Sequence, residues 1–272
     1  MKKTLLIALI AATLPCRFVL ADGTADASQE LKDLVTKVRA DIQSGKTSEA
    51  DLSDDLKQFD ALLAEHKGEK TDAVARILYM KAMLYSQVIH DTAKGDALIS
   101  QLTNDFSGTK FVTQLQKEQA MEAAAKKIQS ALSEGAPFPD FNETDVMGKP
   151  LSIANYKGKV VMIDFWATWC PPCCGEIPNV VATYQKYHDK GFEIIGVSLD
   201  SDHQKLLDFI KQNNMTWQQF FDGGGWSNKL AVKYGIQSIP MTFLLDGDGK
   251  IIGKDLRGQE LTDAVANAVG SK

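Results

Sequence analysis

The spacing of apolar positions changes character near the middle of the chain. In the first half Leu31, Leu34, Val35, Val38 and Ile42 recur at helical intervals, and Leu52, Leu56, Phe59 and Leu63 repeat the pattern after Ser48, a candidate N-cap with Asp51 three residues on. Further helices are predicted over 71–89, 92–103 and 109–132, giving about five antiparallel helices with no sustained repeat period. His66 and His90 fall near helix ends, where surface positions are expected. In the second half the pattern becomes short apolar runs. Residues 160–166, Val-Val-Met-Ile-Asp-Phe-Trp, predict a buried strand, followed by a helix over 172–190, a strand over 193–199 and a helix over 203–213. Strands at 241–245 and 251–256 and a closing helix over 260–269 complete an order of βαβα then ββα. That order implies a parallel core with an antiparallel edge.

Glu134-Gly135-Ala136-Pro137 ends the helical pattern, so a helical domain is expected over 22–134 and an α/β domain over 135–272. No proline lies between Pro15 and Pro137, and Trp166, Trp169, Trp217 and Trp226 all lie in the second half. The first residues read as a leader: Lys2-Lys3, an apolar run from Leu5 to Leu14, and small-residue cleavage after Ala21. The apolar run falls short of the roughly 20 residues of a spanning helix. Cys16 resembles a lipidation site, but Pro15 stands where a small residue is required, so Cys16 is expected to leave with the leader. Loss of Lys2, Lys3 and Arg17 takes the formal charge from −5 to −8. An acidic, exported, periplasmic protein with no affinity for nucleic acid is expected.

Two glycine-rich stretches have bland readings. Asp246-Gly247-Asp248-Gly249 starts like a calcium loop, but Arg257 stands where a bidentate Glu is required, so a hairpin turn is predicted. Gly223-Gly224-Gly225 lacks the ending of a phosphate loop and reads as a flexible connection.

Candidate chemistry lies in Trp169-Cys170-Pro171-Pro172-Cys173-Cys174, which holds three of the four cysteines. They are too few and too clustered to staple a fold in an oxidising compartment. A strand running into a helix through this motif places Cys170 at the helix N-terminus, where free backbone N–H groups and the dipole favour a thiolate. Cys173, one turn on, is within bonding reach and able to resolve a mixed disulfide. A zinc site would require further cysteines or histidines at ligand spacing, so no metal is expected. Cys174 points about 100° around the helix from Cys173, and a ring joining adjacent cysteines would strain the peptide. The expected working pair is Cys170–Cys173, with Cys174 a free thiol.

The segment from Asp164 to Cys173, then Glu176-Ile177-Pro178 and, much later, Ile239-Pro240-Met241-Thr242-Phe243, resembles the TlpA/ResA-like branch of the thioredoxin superfamily. The resemblance covers about residues 136–272 and leaves the helical half outside it. It implies a thioredoxin-like fold, a central mixed sheet flanked by helices, here preceded by an all-α domain. It also implies an exported protein disulfide reductase of the kind used in cytochrome c maturation or partner-specific thiol repair. Pro240 matches the family's cis-proline, which with Ile239 presents backbone groups to an extended partner; Trp169, Pro171 and Pro172 complete the expected substrate surface. Glu176 matches the acid this branch places near the dithiol, and Asp164 the buried acid of thioredoxin; either could take the proton from Cys173.

Two departures stand out. Residues 193–199 offer no lysine companion for Asp164, and Cys174 replaces a residue that is usually basic or polar. No cofactor is expected beyond the redox-active disulfide. Expected partners are disulfide-containing exported proteins and a membrane or periplasmic thiol donor. The helical half serves either as a stabilising spacer or as a dimerisation or docking surface. Alternatives are a disulfide oxidase or isomerase using the same dithiol and a Cu(I) carrier; a peroxidase lacks its motif.

Overall fold

The computed structural model of the chain describes residues 25–270. The expected leader, its cleavage site and Cys16 lie outside the described residues. Two compact units divide at Ala120/Met121.

The N-terminal unit holds helices α1 (Ala25–Gln43), α2 (Ser53–Glu65), α3 (Asp72–Met83) and α4 (Thr92–Asp105), and α5 (Lys110–Ala131) begins in it. Apolar positions read at helical spacing form its cores: Leu31, Leu34, Val38, Leu52, Phe59 and Ile77 in one cluster, Val74, Leu78, Leu102 and Phe106 in another. Ser48 and Asp51 do cap each other, Ser48 Oγ donating to Asp51 Oδ2 at 2.6 Å and Asp51 N to Ser48 Oγ at 3.2 Å. What they cap is an isolated turn, and the regular helix starts later, at Ser53. Thr71 caps α3 by accepting from Val74 N at 3.3 Å. That helix runs on as a π-helix, Leu84–Ile89, so its last stretch departs from the α geometry expected over 71–89. Gly95 packs against this stretch, where a Cβ would lie 1.9 Å from Ser86 Oγ. His66 is buried rather than at the surface, its ring nitrogens bonded to Glu69 at 3.0 Å and Glu30 at 3.1 Å.

Helix α5 ends at Ala131, three residues before the expected boundary at 134/135. The compact unit begins earlier because Ile128 and Leu132 already pack into the C-terminal core. Its elements are β1 (Glu143–Thr144), β2 (Pro150–Leu151), β3 (Val160–Trp166), α6 (Pro171–Tyr187), β4 (Phe192–Ser198), α7 (His203–Gln212), β5 (Gln218–Phe220), α8 (Lys229–Lys233), β6 (Met241–Leu245), β7 (Ile251–Lys254) and α9 (Gly258–Gly270). The main sheet has five strands in the order β5-β4-β3-β6-β7. β4 runs parallel to β3 and β5, whereas β6 is antiparallel to both β3 and β7. This is the mixed sheet of a thioredoxin-like fold, flanked by helices. Every residue of β3 and β4 is buried, which is why both strands read as mainly apolar runs with no alternation, interrupted by Asp164 in β3 and by Glu193 and Ser198 in β4. The turn at 246–249 is a hairpin: Asp246 Oδ1 accepts from the N–H groups of Asp248 and Lys250, each at 2.9 Å.

Gly196 shows why one strand position must lack a side chain. A Cβ there would lie 1.9 Å from Gln219 Oε1, which accepts from Trp166 Nε1 at 3.0 Å. Strand β5, which carries Gln219, was not predicted, because three residues bearing two glutamines show no apolar period.

Candidate active site

Strand β3 delivers the chain to the site at its C-terminal end. Cys170 is the N-cap of α6, and Pro171 and Pro172 occupy its first positions, where a missing N–H leaves no hydrogen bond unmade. Cys170 and Cys173 are joined by a disulfide, with Cα atoms 5.3 Å apart, so the expected pair is the pair observed. The N–H of Cys173 donates to Cys170 Sγ at 3.2 Å, so the sulfur sits where the open end of the helix directs its donors. Both cysteines are buried, with 4% and 2% of their surfaces exposed. Pro171, Pro172 and Trp169 are exposed beside them. Cys174 is a free thiol, half-buried, within 3.4 Å of the Thr168 carbonyl. Burial, and then the charge of Asp200, raise its pKa, which keeps it a neutral thiol.

Behind Cys173 lies a cavity of about 10 Å³, close to the least that admits one water molecule, lined by Asp164, Glu176, Pro240, Thr242 and Arg257 among others. Asp164 projects from β3, opposite Thr242 of β6. It is 4% exposed, and its pKa is pushed up to about 7, first by burial, then by the negative charge of Glu176; Arg257 opposes both. Glu176 Oε1 accepts from the N–H of Gly258 at 2.6 Å and from Asn179 Nδ2 at 2.7 Å. The Ile239–Pro240 peptide bond is cis. Among the described residues the backbone N–H and carbonyl of Ile239 form no hydrogen bond, so this edge remains open. The structure therefore brings Cys170, Cys173, Asp164, Glu176 and Pro240 together around one cavity and disulfide.

Three site residues were not singled out from sequence. Arg257 supplies the cation that residues 193–199 lack, reaching Asp164's cavity from the turn after β7. Asp200, buried, accepts from Thr168 N at 3.0 Å and Thr168 Oγ1 at 2.6 Å, which anchors the segment entering Trp169-Cys170. Trp226 lies with its ring centroid 6.0 Å from that of Trp169, and the two rings are 49% and 44% exposed. Its loop is built rather than slack. Asp222 accepts from the N–H groups of Gly224 and Lys229 at 2.9 and 2.8 Å, and buried Asn228 caps α8 while donating to the Ser198 carbonyl at 3.2 Å. The flexible connection expected at Gly223-Gly224-Gly225 is thus a pinned loop. Among the described residues no group of three or more His, Cys, Asp or Glu side chains is arranged to hold a metal ion.

The sequence profile of the Redoxin family matches residues 133–270. The thiol-disulfide oxidoreductase ResA of Bacillus thuringiensis subsp. konkukian (strain 97-27) is 36% identical over 126 residues, 46% of this chain and 70% of that protein. ResA of Bacillus subtilis (strain 168) is 30% identical over 122 residues, 45% of this chain and 66% of that protein. Among solved structures, the thioredoxin domain of a thiol-disulfide oxidoreductase from Bacteroides vulgatus aligns with 51% of this chain and 99% of its own, at 33% identity and a TM-score of 0.47. With the family profile spanning the half that carries the Cys170–Cys173 disulfide, and ResA relatives matching that same half, the chain belongs to the Redoxin family and is a ResA-like thiol-disulfide oxidoreductase.

Proposed function

We infer that this oxidoreductase works as a reductase outside the cytoplasm, passing electrons from a membrane or periplasmic thiol donor to disulfide-containing exported proteins. One observation carries the reading: the buried acid Asp164, with a pKa of about 7, shares a cavity with the resolving Cys173. In the reducing direction the Cys170 thiolate attacks a partner disulfide, forming a mixed disulfide and expelling one partner thiolate. Cys173 then gives its proton to the Asp164 carboxylate and attacks Cys170 Sγ. The second partner thiolate leaves, both partner thiolates take up protons, and two electrons have moved from the dithiol to the partner. A thiol donor must then reduce Cys170–Cys173 again. Ile239, held next to the cis-proline Pro240, offers its unbonded N–H and carbonyl to an extended partner segment, with Trp169, Pro171 and Pro172 completing the surface.

The direction is supported by what Cys170 lacks. A strongly oxidising dithiol is one whose reduced form is heavily stabilised. Here the Cys170 sulfur receives one backbone N–H and the end of a helix, and the following turn carries the neutral thiol of Cys174 rather than a cation. Equilibration against glutathione, with mass spectrometry of the alkylated cysteines, tests this. The expected potential lies nearer about −270 mV than the about −120 mV of a strong oxidant, and a value above about −150 mV makes the protein an oxidase. Export is tested on the protein recovered from its host, whose mature N-terminus should follow Ala21.

A further inference from the structure

The turn after β7 is tied to both sides of the dithiol. Arg257 Nη2 donates to the carbonyl of Pro240 at 2.7 Å and pairs with Asp255. The next residue, Gly258, donates its N–H to Glu176 at 2.6 Å and accepts from Asn179 Nδ2 at 3.1 Å. One short segment therefore grips the cis-proline peptide with a side chain and helix α6 with its backbone. Its conformation is an unusual one, with φ of +56° at Asp255 and +52° at Gly258. For Asp255, a non-glycine residue in the left-handed region, surrounding contacts must hold that geometry.

We propose that Arg257 is a positioning residue for partner docking: its hydrogen bond to Pro240 holds the Ile239–Pro240 edge in register with the Cys170–Cys173 disulfide. The inference rests on the reading that this edge binds the partner. Pro240 is an intrinsically loose end. It has no N–H to pair with a neighbour, it precedes the first residue of β6, and its carbonyl bonds to a side chain rather than to a strand. An arginine suits the task because one guanidinium nitrogen carries two N–H donors, and here Nη2 bonds both the Pro240 carbonyl and the Asp255 carboxylate. Arg257 also lines the cavity that holds Asp164, and its charge there acts against that of Glu176, so the group that holds the docking edge also acts on the proton acceptor. Arg257 is itself exposed at the surface, so its replacement leaves the core intact.

The test mixes reduced full-length protein with excess insulin, quenches in acid and follows formation of the Cys170–Cys173 disulfide against insulin concentration. The same measurement is made with bis(2-hydroxyethyl) disulfide, which has no backbone to pair with the edge. Arg257→Gln should raise the half-saturating insulin concentration roughly tenfold, ~1.4 kcal/mol; any change in rate that comes through Asp164 is shared by the small disulfide, so the preference for insulin over the small disulfide should fall about tenfold. Arg257→Lys, which keeps a charged donor, should fall between them. An unchanged half-saturating concentration in Arg257→Gln overturns the proposal, as does an equal loss on both disulfides. Pro240→Ala separates the two layers of the argument. If it leaves insulin saturation unchanged, the edge does not dock partners and the underlying reading fails; if it weakens saturation while Arg257→Gln does not, the role given to Arg257 alone is wrong.

Discussion

Replacing Asp164 by asparagine should stabilise the C-terminal unit, and the gain should depend on pH in a defined way. The carboxyl is buried in β3 and its pKa stands near 7 in the fold, against 3.8 for an ordinary aspartate. The folded protein therefore keeps this proton over a range in which the unfolded chain has released it. Stability drawn from the protonated group is fully present below about 4 and is lost as pH rises through about 7, because the charged form must then be held away from water. A shift of about three units corresponds to about 4 kcal/mol. Asparagine mimics the protonated acid and never ionises. Asp164→Asn should thus match the parent within about 1 kcal/mol at pH 4, gain about 2 kcal/mol near pH 5.5, and gain about 4 kcal/mol above pH 8. Guanidinium unfolding followed by tryptophan fluorescence reads the right unit, since all four tryptophans lie in it; the disulfide must stay oxidised throughout. Ionisable groups that do not interact with Asp164 cancel in the difference. A gain that stays flat between pH 4 and pH 8.5 would refute the assignment, because it would mean that Asp164 ionises alike in both states.

The remaining expectations concern neighbouring groups. Glu176→Gln removes a charge that raises the Asp164 pKa while its amide oxygen can still accept from Gly258 N; carbon-13 NMR of labelled aspartate should place the Asp164 midpoint below that of the parent, and an unchanged or higher midpoint contradicts the electrostatic account. Cys174→Ser should keep most disulfide reductase activity while Cys170→Ser abolishes it, and a Cys170–Cys174 bridge found by peptide mapping would overturn the pairing. Gly196→Ala must push Gln219 away from Trp166 Nε1, since a Cβ would lie 1.9 Å from Gln219 Oε1; the cost should be about 1–3 kcal/mol of unfolding free energy, and a neutral result would show that the glutamine can turn aside freely.

How much of this was legible depended on range along the chain. Strand β3 announced itself because both its faces are buried, so no polar alternation interrupted it. Helix α6 and the disulfide were readable because an N-cap, two leading prolines and a three-residue separation are all local. The start of α2 was misplaced for an equally local reason: Ser48 and Asp51 form the bonds of a capping box, but around a turn that precedes the helix. Residues 84–89 kept helical spacing while adopting π geometry, a difference that apolar periodicity over one turn does not register. Strand β5 was missed because Gln219 is buried by its bond to Trp166 rather than by hydrophobicity.

The acid site shows the same limit more sharply, because there the chemistry was expected and its partner was sought in the wrong place. A cation for Asp164 was looked for on β4, the parallel neighbour of β3, and residues 193–199 hold none. What the carboxylate responds to is proximity in space, and an arginine on the turn after β7, 93 positions along the chain from Asp164, lines the same cavity. Its position has a consequence that a lysine on β4 would not share. A cation on the neighbouring strand could act only on the acid, whereas Arg257 also bonds the Pro240 carbonyl and belongs to the turn whose next N–H bonds Glu176. Any movement of the Ile239–Pro240 edge that pulls on the guanidinium must therefore alter the field at Asp164. Partner docking and proton affinity are joined through one side chain, so Asp164 titration in Arg257→Gln should move upward even in the absence of any partner. Carbon-13 NMR of the labelled carboxyl measures that midpoint directly, and a midpoint equal to the parent's would separate the docking edge from the proton acceptor.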